Sequence, residues 1–599
     1  MYQKSGENLN TLSLCMIVKD AQKYIEQCIE SVLPAITEII IVDTGSTDNT
    51  LEKIKRFNPS VYNMEWNNNF SDARNVSLKY ATGDYIIVLD ADEVVYAKDL
   101  TKLIKTLENT KADCLTVRFH NLINENDENN FSIHEGLRIF KNGSYCFEGA
   151  IHEQPVFNFP DRKPVIEQSG VRIKHYGYLK SNSGEKKFNR NMAILNDVLE
   201  KTPNEPFHLF NMGNQYMSTG DYKAALKYYD KADKFKDINL AYSPHLIFRR
   251  ASCLRNLGQR EESLAALAQG LKFYPACTDL EFLRGSILAG MKRYTLAIDS
   301  FKRCIEMGQA PPNLCFFPNT ENIHPLIELA EIYNGMDDYH MALEHYLKAL
   351  KVNDKGYYLI YKIAASLNKL FADKAIVYKN LCNLFADSSY RLNVVIMTDA
   401  LLNEKLLGQA DIALDACKNN DSTEKDADTF FLRGRMLFYA KEYRAAFQSF
   451  SNSICPDVVK GILPNTQRRA REYMLACSLL CSDCYNFFID IKESMDDSME
   501  KTVYSAFLEA DSNPLDDKTL DIISQVLSNL LAVSEYDAFE KALSILNLVE
   551  SNNVLLCLSK IYFDSGFRDM AIKTILRSVK EFGAIDSKAA MILNKEFSV

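Results

Sequence analysis

The sequence lacks long apolar runs, and none approaches the roughly 18 apolar residues that a membrane-spanning helix needs. Its N-terminus, MYQKSGENLN, lacks the apolar core of a signal peptide. An excess of positive charge is also missing, because 69 Lys and Arg stand against 79 Asp and Glu, a formal net charge of −10. That balance argues against a general nucleic-acid or membrane-surface binder. We therefore expect a cytoplasmic protein with no nucleic-acid partner and no integral membrane segment.

Closely paired cysteines are scarce, although the chain contains 15 cysteines. Most stand singly in ordinary segments such as SLCMIV and RASCLRN, which predicts reduced and mostly buried thiols. The spacing nearest to a metal motif is Cys481-x-x-Cys484, with Cys477 one turn earlier. This group has no second pair and lies in a helical pattern, which favours a structural role over metal binding.

The length of 599 residues is too great for one hydrophobic core and predicts several domains. The character of the chain changes near residue 185, where alternating strands and helices give way to helical repeats. We predict an α/β domain over 1–185, an all-α repeat region over 186–455, and degenerate helical repeats over 456–599.

The first 100 or so residues alternate between apolar strands and amphipathic helices. Strand–helix–strand order with continuous apolar strands predicts a parallel sheet covered on both faces. The predicted strands are LSLCMIV, EIIIVD, VYNMEW and YIIVLD, and the helices are AQKYIEQCIESVL (with Asp20 as a possible N-cap), LEKIKRF and SDARNVSLKYA. Beyond Asp92 the pattern becomes antiparallel, with an Asn142-Gly143 turn. Ligands of such sheets bind beyond the carboxyl ends of the strands, where Asp43 and Asp90 lie.

Two acidic motifs at strand ends are candidate binding sites. In IVDTGSTDNT, Asp43 can accept hydrogen bonds from a nucleobase or ribose, but the motif taken alone favours a simpler interpretation, in which Gly45 makes a turn and Ser46, Thr47 or Asp48 caps a helix. In LDADE, Asp90 and Asp92 suit a divalent cation bridged to phosphate oxygens. A solvated acidic loop, or a helix start that includes Glu93, is the alternative.

Taken together and in order, these motifs resemble the family 2 glycosyltransferases, which have a GT-A, Rossmann-like nucleotide-sugar-binding fold. The resemblance covers roughly residues 10–180 and includes SDARN, which contains Arg74 and Asn75. It implies that Asp43 contacts uracil or ribose and that Arg74 and Asn75 lie near the donor nucleotide. It also implies that Asp90 and Asp92 bind Mn²⁺ or Mg²⁺ and the diphosphate of a donor such as UDP-Glc or UDP-GlcNAc.

The acceptor side is predicted from CFEGAIHEQP, which supplies Glu148, His152 and Glu153. An inverting displacement at an anomeric carbon needs a base that takes the acceptor proton. The acid that GT-A enzymes carry after a small-residue loop is similar in position to Glu153, with Glu148 as the competitor and His152 shaping the pocket. By the same resemblance, His175 in VRIKHYGYL is a candidate metal ligand, although a lone strand histidine is often structural.

From about Phe207 a pattern of small and aromatic residues recurs and resembles the tetratricopeptide repeat. A small residue in the first helix of each unit precedes a small residue and an aromatic residue in the second helix. The second-helix small residues are Ala225, Ser263, Ala297 and Ala342, with weaker matches at Ala375, Ala413 and Ala446. Such arrays present extended surfaces that usually bind polypeptide, and they also suit a homodimer.

Three functions fit these features. The first is a bacterial-type glycosyltransferase that modifies Ser, Thr or Cys of a protein or peptide such as a flagellin, with the repeats holding the acceptor. The second is a glycosyltransferase that acts on a lipid-linked or cell-surface glycan. The third is a non-catalytic repeat scaffold, which the intact Asp43, Asp90, Asp92 and Glu153 argue against, because buried acids without a ligand destabilise a fold.

Overall fold

The fold is described from a computed structural model of the chain. The structure describes residues 10–123, 131–177, 184–353, 356–385, 390–416, 426–458, 461–495, 498–509 and 513–596, so the start of the N-terminal segment, residues 1–9, lies outside the described residues. The chain divides into two compact units, Met1–Met336 and Asp337–Val599. The division into 1–185, 186–455 and 456–599 stays a prediction. The predicted order of a GT-A α/β domain followed by an all-α tetratricopeptide-type array is confirmed.

The α/β domain is built on a mixed sheet, which has eight strands in the described residues, in the order β3-β2-β1-β4-β7-β6-β10-β5, and a small second sheet pairs β8 with β9. The strands are β1 (Leu12–Val18), β2 (Glu38–Asp43), β3 (Ser60–Asn63), β4 (Tyr85–Val88), β5 (Glu93–Val95), β6 (Cys114–Leu122), β7 (Phe131–Lys141), β8 (Tyr145–Glu148), β9 (Gln154–Phe157) and β10 (Ile166–His175). Strands β1 to β4 are parallel to one another where they pair, whereas β7 is antiparallel to both β4 and β6.

The parallel register explains why the acidic motifs lie at one edge. Val18 at the end of β1 pairs with Asp43 at the end of β2, and β4 runs parallel to β1 on its other side. The strands are almost wholly buried, as their continuous apolar sequences predict. Asp43 therefore ends one central strand and Asp90 closely follows another, as the sequence predicts.

Two local predictions differ from the structure. Asp20 does not cap the first helix, which begins at Ile25 after Tyr24. The Asp20 backbone instead adopts a left-handed conformation (φ 50°), and its carboxylate accepts hydrogen bonds from the backbone N–H groups of Thr47 and Asp48. Glu93 starts strand β5 and not a helix, because β5 pairs antiparallel with β10.

The helices of the first unit are α1 (Ile25–Val32), α2 (Thr50–Ile54), α3 (Phe70–Tyr80), α4 (Ala97–Asn109), α5 (Gly184–Lys201), α6 (Pro206–Ser218), α7 (Tyr222–Phe235), α8 (Ser243–Asn256), α9 (Arg260–Phe273), α10 (Thr278–Gly290), α11 (Tyr294–Met307) and α12 (Ile323–Gly335). Those of the second unit are α13 (Tyr339–Val352), α14 (Tyr358–Leu370), α15 (Lys374–Cys382), α16 (Arg391–Asn403), α17 (Leu407–Asp415), α18 (Ala427–Tyr439), α19 (Tyr443–Ser453), α20 (Thr466–Leu480), α21 (Ser482–Glu493), α22 (Ser498–Leu508), α23 (Leu520–Ala532), α24 (Tyr536–Ala542), α25 (Val554–Asp564), α26 (Arg568–Phe582) and α27 (Ser587–Glu596). None of the described helices combines the length and apolar composition that crossing a membrane requires.

Glycine and aromatic residues make the repeat pairs fit together. A Cβ atom on Gly285 of α10 would lie 2.8 Å from the ring of Phe301 in α11, which shows that the ring packs directly on the glycine backbone. Gly434 and Phe450 form the same contact in the second unit. This close approach is the physical reason for the repeat pattern.

The predicted small positions of the second helices are buried with one exception. Ala375 is exposed, and Val377 and Leu381 are the buried residues of α15, so the weak match at Ala375 is wrong. The other predicted positions are completely buried, namely Ala225, Ser263, Ala297, Ala342, Ala413 and Ala446. The cysteines that the structure describes are free thiols, and most are buried.

Within the first unit, the first helices of the all-α region pack against the α/β domain. Ile151, in the loop between β8 and β9, forms one apolar cluster with Ile194 and Leu195 of α5 and Met212 of α6. Further along, the backbone N–H of Ile133 in β7 donates to the carbonyl of Phe316, 2.7 Å away. The helices therefore cover apolar surface of the domain that carries the acidic motifs.

Candidate active site

Asp90 lies directly beyond β4 and is held by two arginines. Arg74 Nη2 donates to Asp90 Oδ1 over 2.7 Å, and Arg138 Nη2 lies 3.4 Å from Asp90 Oδ2. Burial opposes ionisation of Asp90, but the Arg74 guanidinium, helped by Arg138, outweighs it and holds the pKa of Asp90 well below its usual range. This carboxylate is therefore charged and oriented by cations of the protein itself.

Arg138 is a site residue that the sequence did not reveal. It lies on β7, the antiparallel neighbour of β4, and its Nη2 donates to Glu93 Oε1 over 2.7 Å. Glu93 also accepts a hydrogen bond from the backbone N–H of Asp90, and burial raises the pKa of Glu93 to about 8. A single arginine in an alternating strand carries no motif, and the pairing of β7 with β4 is the one signal that places it here.

Arg74 joins Asp90, which follows β4, to Glu153, in the loop between β8 and β9. It lies on α3, is 4% exposed, and donates from Nε to Glu153 Oε1 while its Nη2 holds Asp90. The structure thus brings Arg74, Asp90 and Glu153 together, as their shared assignment to one site requires. A buried guanidinium between two carboxylates is the paired arrangement that buried charges need.

The loop that carries Glu153 has an unusual backbone. Gly149 and His152 both have positive φ angles, 100° and 53°, and a left-handed histidine is uncommon. The carbonyl of Ala150 accepts a hydrogen bond from the backbone N–H of Phe70, at the start of α3. Burial lowers the pKa of His152 to about 4, so its ring is neutral at pH 7. Together these features aim Glu153 at Arg74 and place His152 beside it.

Glu148 has different surroundings from Glu153. It ends β8, is exposed, and pairs in register with Gln154 at the start of β9. The Glu153 side chain is 10% exposed and is bound by Arg74. Of the two acids, Glu153 is therefore the one that the structure places in the cluster with Asp90.

Asp43 organises the loop that follows β2. Its carboxylate accepts hydrogen bonds from the backbone N–H groups of Gly45 (3.2 Å) and Ser46 (3.1 Å) and from the Ser46 hydroxyl. Gly45 has a φ of 98°, which the turn requires. Asp43 is 5% exposed, and its carboxylate lies at the same edge of the sheet as Asp90.

Asn75 binds the backbone of β8, the strand that leads into the loop with Glu153. Its Nδ2 donates to the carbonyl of Phe147 over 2.9 Å, and its Oδ1 accepts from the Phe147 N–H over 2.8 Å. Both ends of the amide are thus bound to β8. The geometry supports a positioning role for Asn75 more directly than contact with a nucleotide.

Asp92, in the turn that follows β4, faces His175, the last residue of β10. His175 Nε2 lies 3.7 Å from Asp92 Oδ1, and the N–H of Tyr176 donates to the Asp92 carbonyl over 3.0 Å. A Cβ atom on Gly177 would lie 2.6 Å from His175 Nε2 and 2.7 Å from Asp92 Oδ2, so a side chain at residue 177 would fill the space between them. Burial lowers the pKa of His175, against the opposing pull of Asp92.

This pair fits a divalent cation. Two ligands that each lie about 2.0–2.2 Å from one metal ion are about 3–4 Å apart, depending on the angle at the metal, and the 3.7 Å between Asp92 and His175 falls in this range. Among the described residues, no group of three or more His, Cys, Asp and Glu side chains is arranged to hold a metal. A two-ligand site suits Mg²⁺ or Mn²⁺, because such ions in phosphate-transfer sites complete their shell with water and substrate phosphates.

The comparisons with known proteins agree with this geometry. The family model described as glycosyl transferase family 2 matches residues 13–168, and a tetratricopeptide-repeat model matches 209–238, 282–308 and 323–355. The chain is 31% identical over 299 residues to the SPbeta prophage-derived glycosyltransferase SunS of Bacillus subtilis, a match that covers 48% of this chain and 68% of SunS. The chain therefore belongs to the family 2 glycosyltransferases, here joined to tetratricopeptide repeats.

Two further similarities are more distant. A TPR repeat-containing protein of Synechococcus elongatus is 27% identical over 267 residues, which cover 43% of this chain and 65% of that protein. A structure of glucosyl-3-phosphoglycerate synthase from Mycobacterium tuberculosis with Mn²⁺, uridine diphosphate and phosphoglyceric acid matches at 19% identity, 20% of this chain and 49% of that chain. The TM-score of this match is 0.17.

Proposed function

We propose that this glycosyltransferase moves a sugar, with inversion, from a nucleotide-sugar to a Ser, Thr or Cys side chain of a protein or peptide. The observation that carries the proposal is the position of Arg74, which binds both Asp90, at the donor edge of the sheet, and Glu153, in the acceptor loop. The buried Arg74 guanidinium thereby connects the two halves of a transfer site in a family 2 glycosyltransferase.

On the donor side, Asp92 and His175 would hold Mn²⁺ or Mg²⁺. Asp90, the third residue predicted for the metal, is bound by Arg74 and would add negative charge next to the ion. Such an ion neutralises the negative charge on a departing nucleoside diphosphate. Asp43 and its loop lie at the end of β2, which β1 separates from β4, and a uracil or ribose can be recognised there. A UDP-sugar such as UDP-Glc or UDP-GlcNAc is the donor we propose.

On the acceptor side, Glu153 is the proposed base. Its Oε1 is fixed by Arg74, which leaves the other carboxylate oxygen to take the acceptor proton during direct displacement. The neutral His152 would shape the acceptor pocket, and Asn75 would hold β8 in place. Glu148 is the alternative base, and its exposure makes it the weaker choice.

The acceptor class is proposed from the repeats and the relatives. Tetratricopeptide repeats usually bind polypeptide, and helices α5 and α6 pack against the loop that carries Glu153. A polypeptide held by this array would reach the transfer site without a separate docking step. We propose that the array binds the acceptor and can also support a homodimer.

An acceptor screen would test this function. Purified full-length protein is incubated with UDP-Glc, UDP-GlcNAc and Mn²⁺, together with a peptide library that contains Ser, Thr and Cys, and product mass is measured intact. A mass increase of one hexose or HexNAc on peptides supports the proposal. Transfer to lipid-linked glycans and not to peptides would contradict the acceptor assignment, and absence of any donor turnover would favour the non-catalytic scaffold.

A further inference from the structure

Asn121 contacts His175 on the side of the imidazole ring that faces away from Asp92, its partner in the proposed metal site. It is near the end of β6, between β7 and β10, and is 4% exposed. Its amide lies between two imidazoles: Nδ2 is 2.9 Å from His134 Nδ1 and Oδ1 is 2.9 Å from His175 Nδ1. Asn121 therefore connects the buried interior of the sheet to His175.

The direction of the Asn121 amide follows from its other neighbour. The Ser132 carbonyl oxygen lies 3.4 Å from the Nδ2 side of the amide. A carbonyl oxygen can accept a hydrogen bond but cannot donate one, so the amide nitrogen belongs on that side. Burial lowers the pKa of His134 to about 3, so its ring is neutral and its Nδ1 can accept from the same NH₂ group.

The tautomer of His175 follows from this orientation. Since the amide oxygen of Asn121 faces His175 Nδ1, that nitrogen must carry the proton and donate. In a neutral imidazole with Nδ1 protonated, Nε2 carries the lone pair, and Nε2 is the atom directed toward Asp92. A lone pair facing a carboxylate is the arrangement that a bound cation stabilises.

Packing around His134 holds the hydrogen-bonded series His134–Asn121–His175 in place. The His134 ring stacks on Phe119 with centroids 4.4 Å apart and planes 8° apart. A Cβ atom on Gly136 would lie 2.9 Å from the Phe119 ring, so the glycine allows this stack to form. The His134 ring, which accepts the hydrogen bond from the Asn121 amide, is therefore held in place by packing in the core of the sheet.

We infer that Asn121 is a positioning residue that sets the tautomer of His175, with Nδ1 protonated, so that Nε2 can bind the divalent cation of the donor site. The inference rests on the proposed metal-binding role of Asp92 and His175. Partners in this second layer around metal-binding histidines typically change metal affinity by about 10–100-fold when they are removed.

The test separates the tautomer from metal binding. Full-length protein labelled with ¹⁵N-histidine is studied without metal by long-range ¹H–¹⁵N correlation, with the His175 signals assigned from a His175→Gln variant. Mn²⁺ binding is measured by calorimetry on the same samples. The variants are Asn121→Leu, which removes both hydrogen bonds, and Asn121→Asp, which keeps an acceptor for His175 Nδ1. Asn142→Leu is the control, because it removes two amide hydrogen bonds to the backbone at Ala81 and Gly83.

We expect His175 to have Nδ1 protonated in the wild type, Asn121→Asp and Asn142→Leu, and to lose that preference in Asn121→Leu. We expect Asn121→Leu to weaken Mn²⁺ binding by about 10-fold or more and Asn121→Asp to restore it. An Nε2-protonated His175 in the wild type, or an unchanged tautomer and Mn²⁺ affinity in Asn121→Leu, would overturn the inference. If Asn121→Leu does not fold, the wild type and Asn121→Asp are compared, and a different His175 tautomer in the two proteins would overturn the inference. A correct tautomer in protein that binds no Mn²⁺ would instead contradict the proposed metal site.

Discussion

Arg74 donates a hydrogen bond to Glu153, although Glu153 lies 79 residues further along the chain. The same guanidinium binds Asp90, so it fixes an acid of each half of the site. This contact distinguishes Glu153 from the exposed Glu148, which is the competing base five residues earlier in the same segment.

Glu153→Gln should therefore lower sugar transfer by about 10²-fold or more, because glutamine cannot take the acceptor proton. Gln can still accept the Arg74 hydrogen bond, so UDP binding should remain close to that of the wild type. Transfer rate and UDP affinity are measured on the same preparation. Glu148→Gln is the matched control, and a control that stops transfer while Glu153→Gln remains active would assign the base to Glu148.

Part of the acid sensitivity of the first unit should come from His120. This residue is 8% exposed, and burial lowers its pKa from 6.5 to about 4. Below pH 6.5 the unfolded chain binds a proton that the folded chain excludes until about pH 4, so stability is lost as the pH falls through that window. Between pH 7 and pH 5, His120 should reduce the free energy of unfolding by about 2 kcal/mol.

His120→Gln tests this value, because Gln does not titrate and can accept the hydrogen bond that Tyr96 makes with His120 Nδ1. Urea unfolding is followed at both pH values by the fluorescence of Trp66, the single tryptophan of the chain, which lies in the first unit. The variant should lose about 2 kcal/mol less than the wild type between pH 7 and pH 5. Equal losses in the two proteins would show that His120 does not contribute to the loss of stability.

The repeat helices should tolerate a methyl group at one glycine of α10 and not at another. Gly285→Ala places a Cβ atom 2.8 Å from Phe301 and should cost about 1–3 kcal/mol through overpacking. A Cβ atom on Gly290, at the end of the same helix, meets nothing within 4 Å, so Gly290→Ala should be neutral or stabilising by up to about 1 kcal/mol. Thermal unfolding of both variants gives the comparison, and similar melting temperatures would contradict the packing account.

The first unit should fold and bind donor without the second. A fragment that ends near residue 185 would expose Ile151, which is 3% exposed beside α5 and α6, whereas one that ends at Met336 keeps this cluster. We expect fragment 1–336 to melt cooperatively and bind UDP with Mn²⁺, and fragment 1–185 to aggregate. A stable, UDP-binding 1–185 fragment would show that the contact with α5 and α6 is dispensable.

The sequence predicted the elements of the site better than their contacts. Asp43, Asp90 and His175 lie at or just beyond strand ends as predicted, because apolar runs that end in polar residues define parallel strands. The contacts of Arg138 depend on the antiparallel pairing of β7 with β4, and those of Asn121 depend on the pairing of β6 with β7 and with β10. Pairing between strands distant in sequence leaves no local pattern. Asp20 fits an N-cap by position, but a left-handed backbone turns its carboxylate to the loop after β2.

The release of UDP from a UDP-sugar tests the central claim most directly. UDP-Glc and UDP-GlcNAc are supplied, with water as the acceptor of the sugar, in Mn²⁺ or in excess chelator to the wild type, to Asp92→Asn, and to the control Asp161→Asn, which alters an exposed acid between β9 and β10. We expect the wild type and Asp161→Asn to release UDP with Mn²⁺ and not with chelator, and Asp92→Asn to release at least about 10²-fold less while its thermal unfolding is unchanged. Full release in excess chelator, or by Asp92→Asn, would contradict a metal-dependent transfer site built on Asp92.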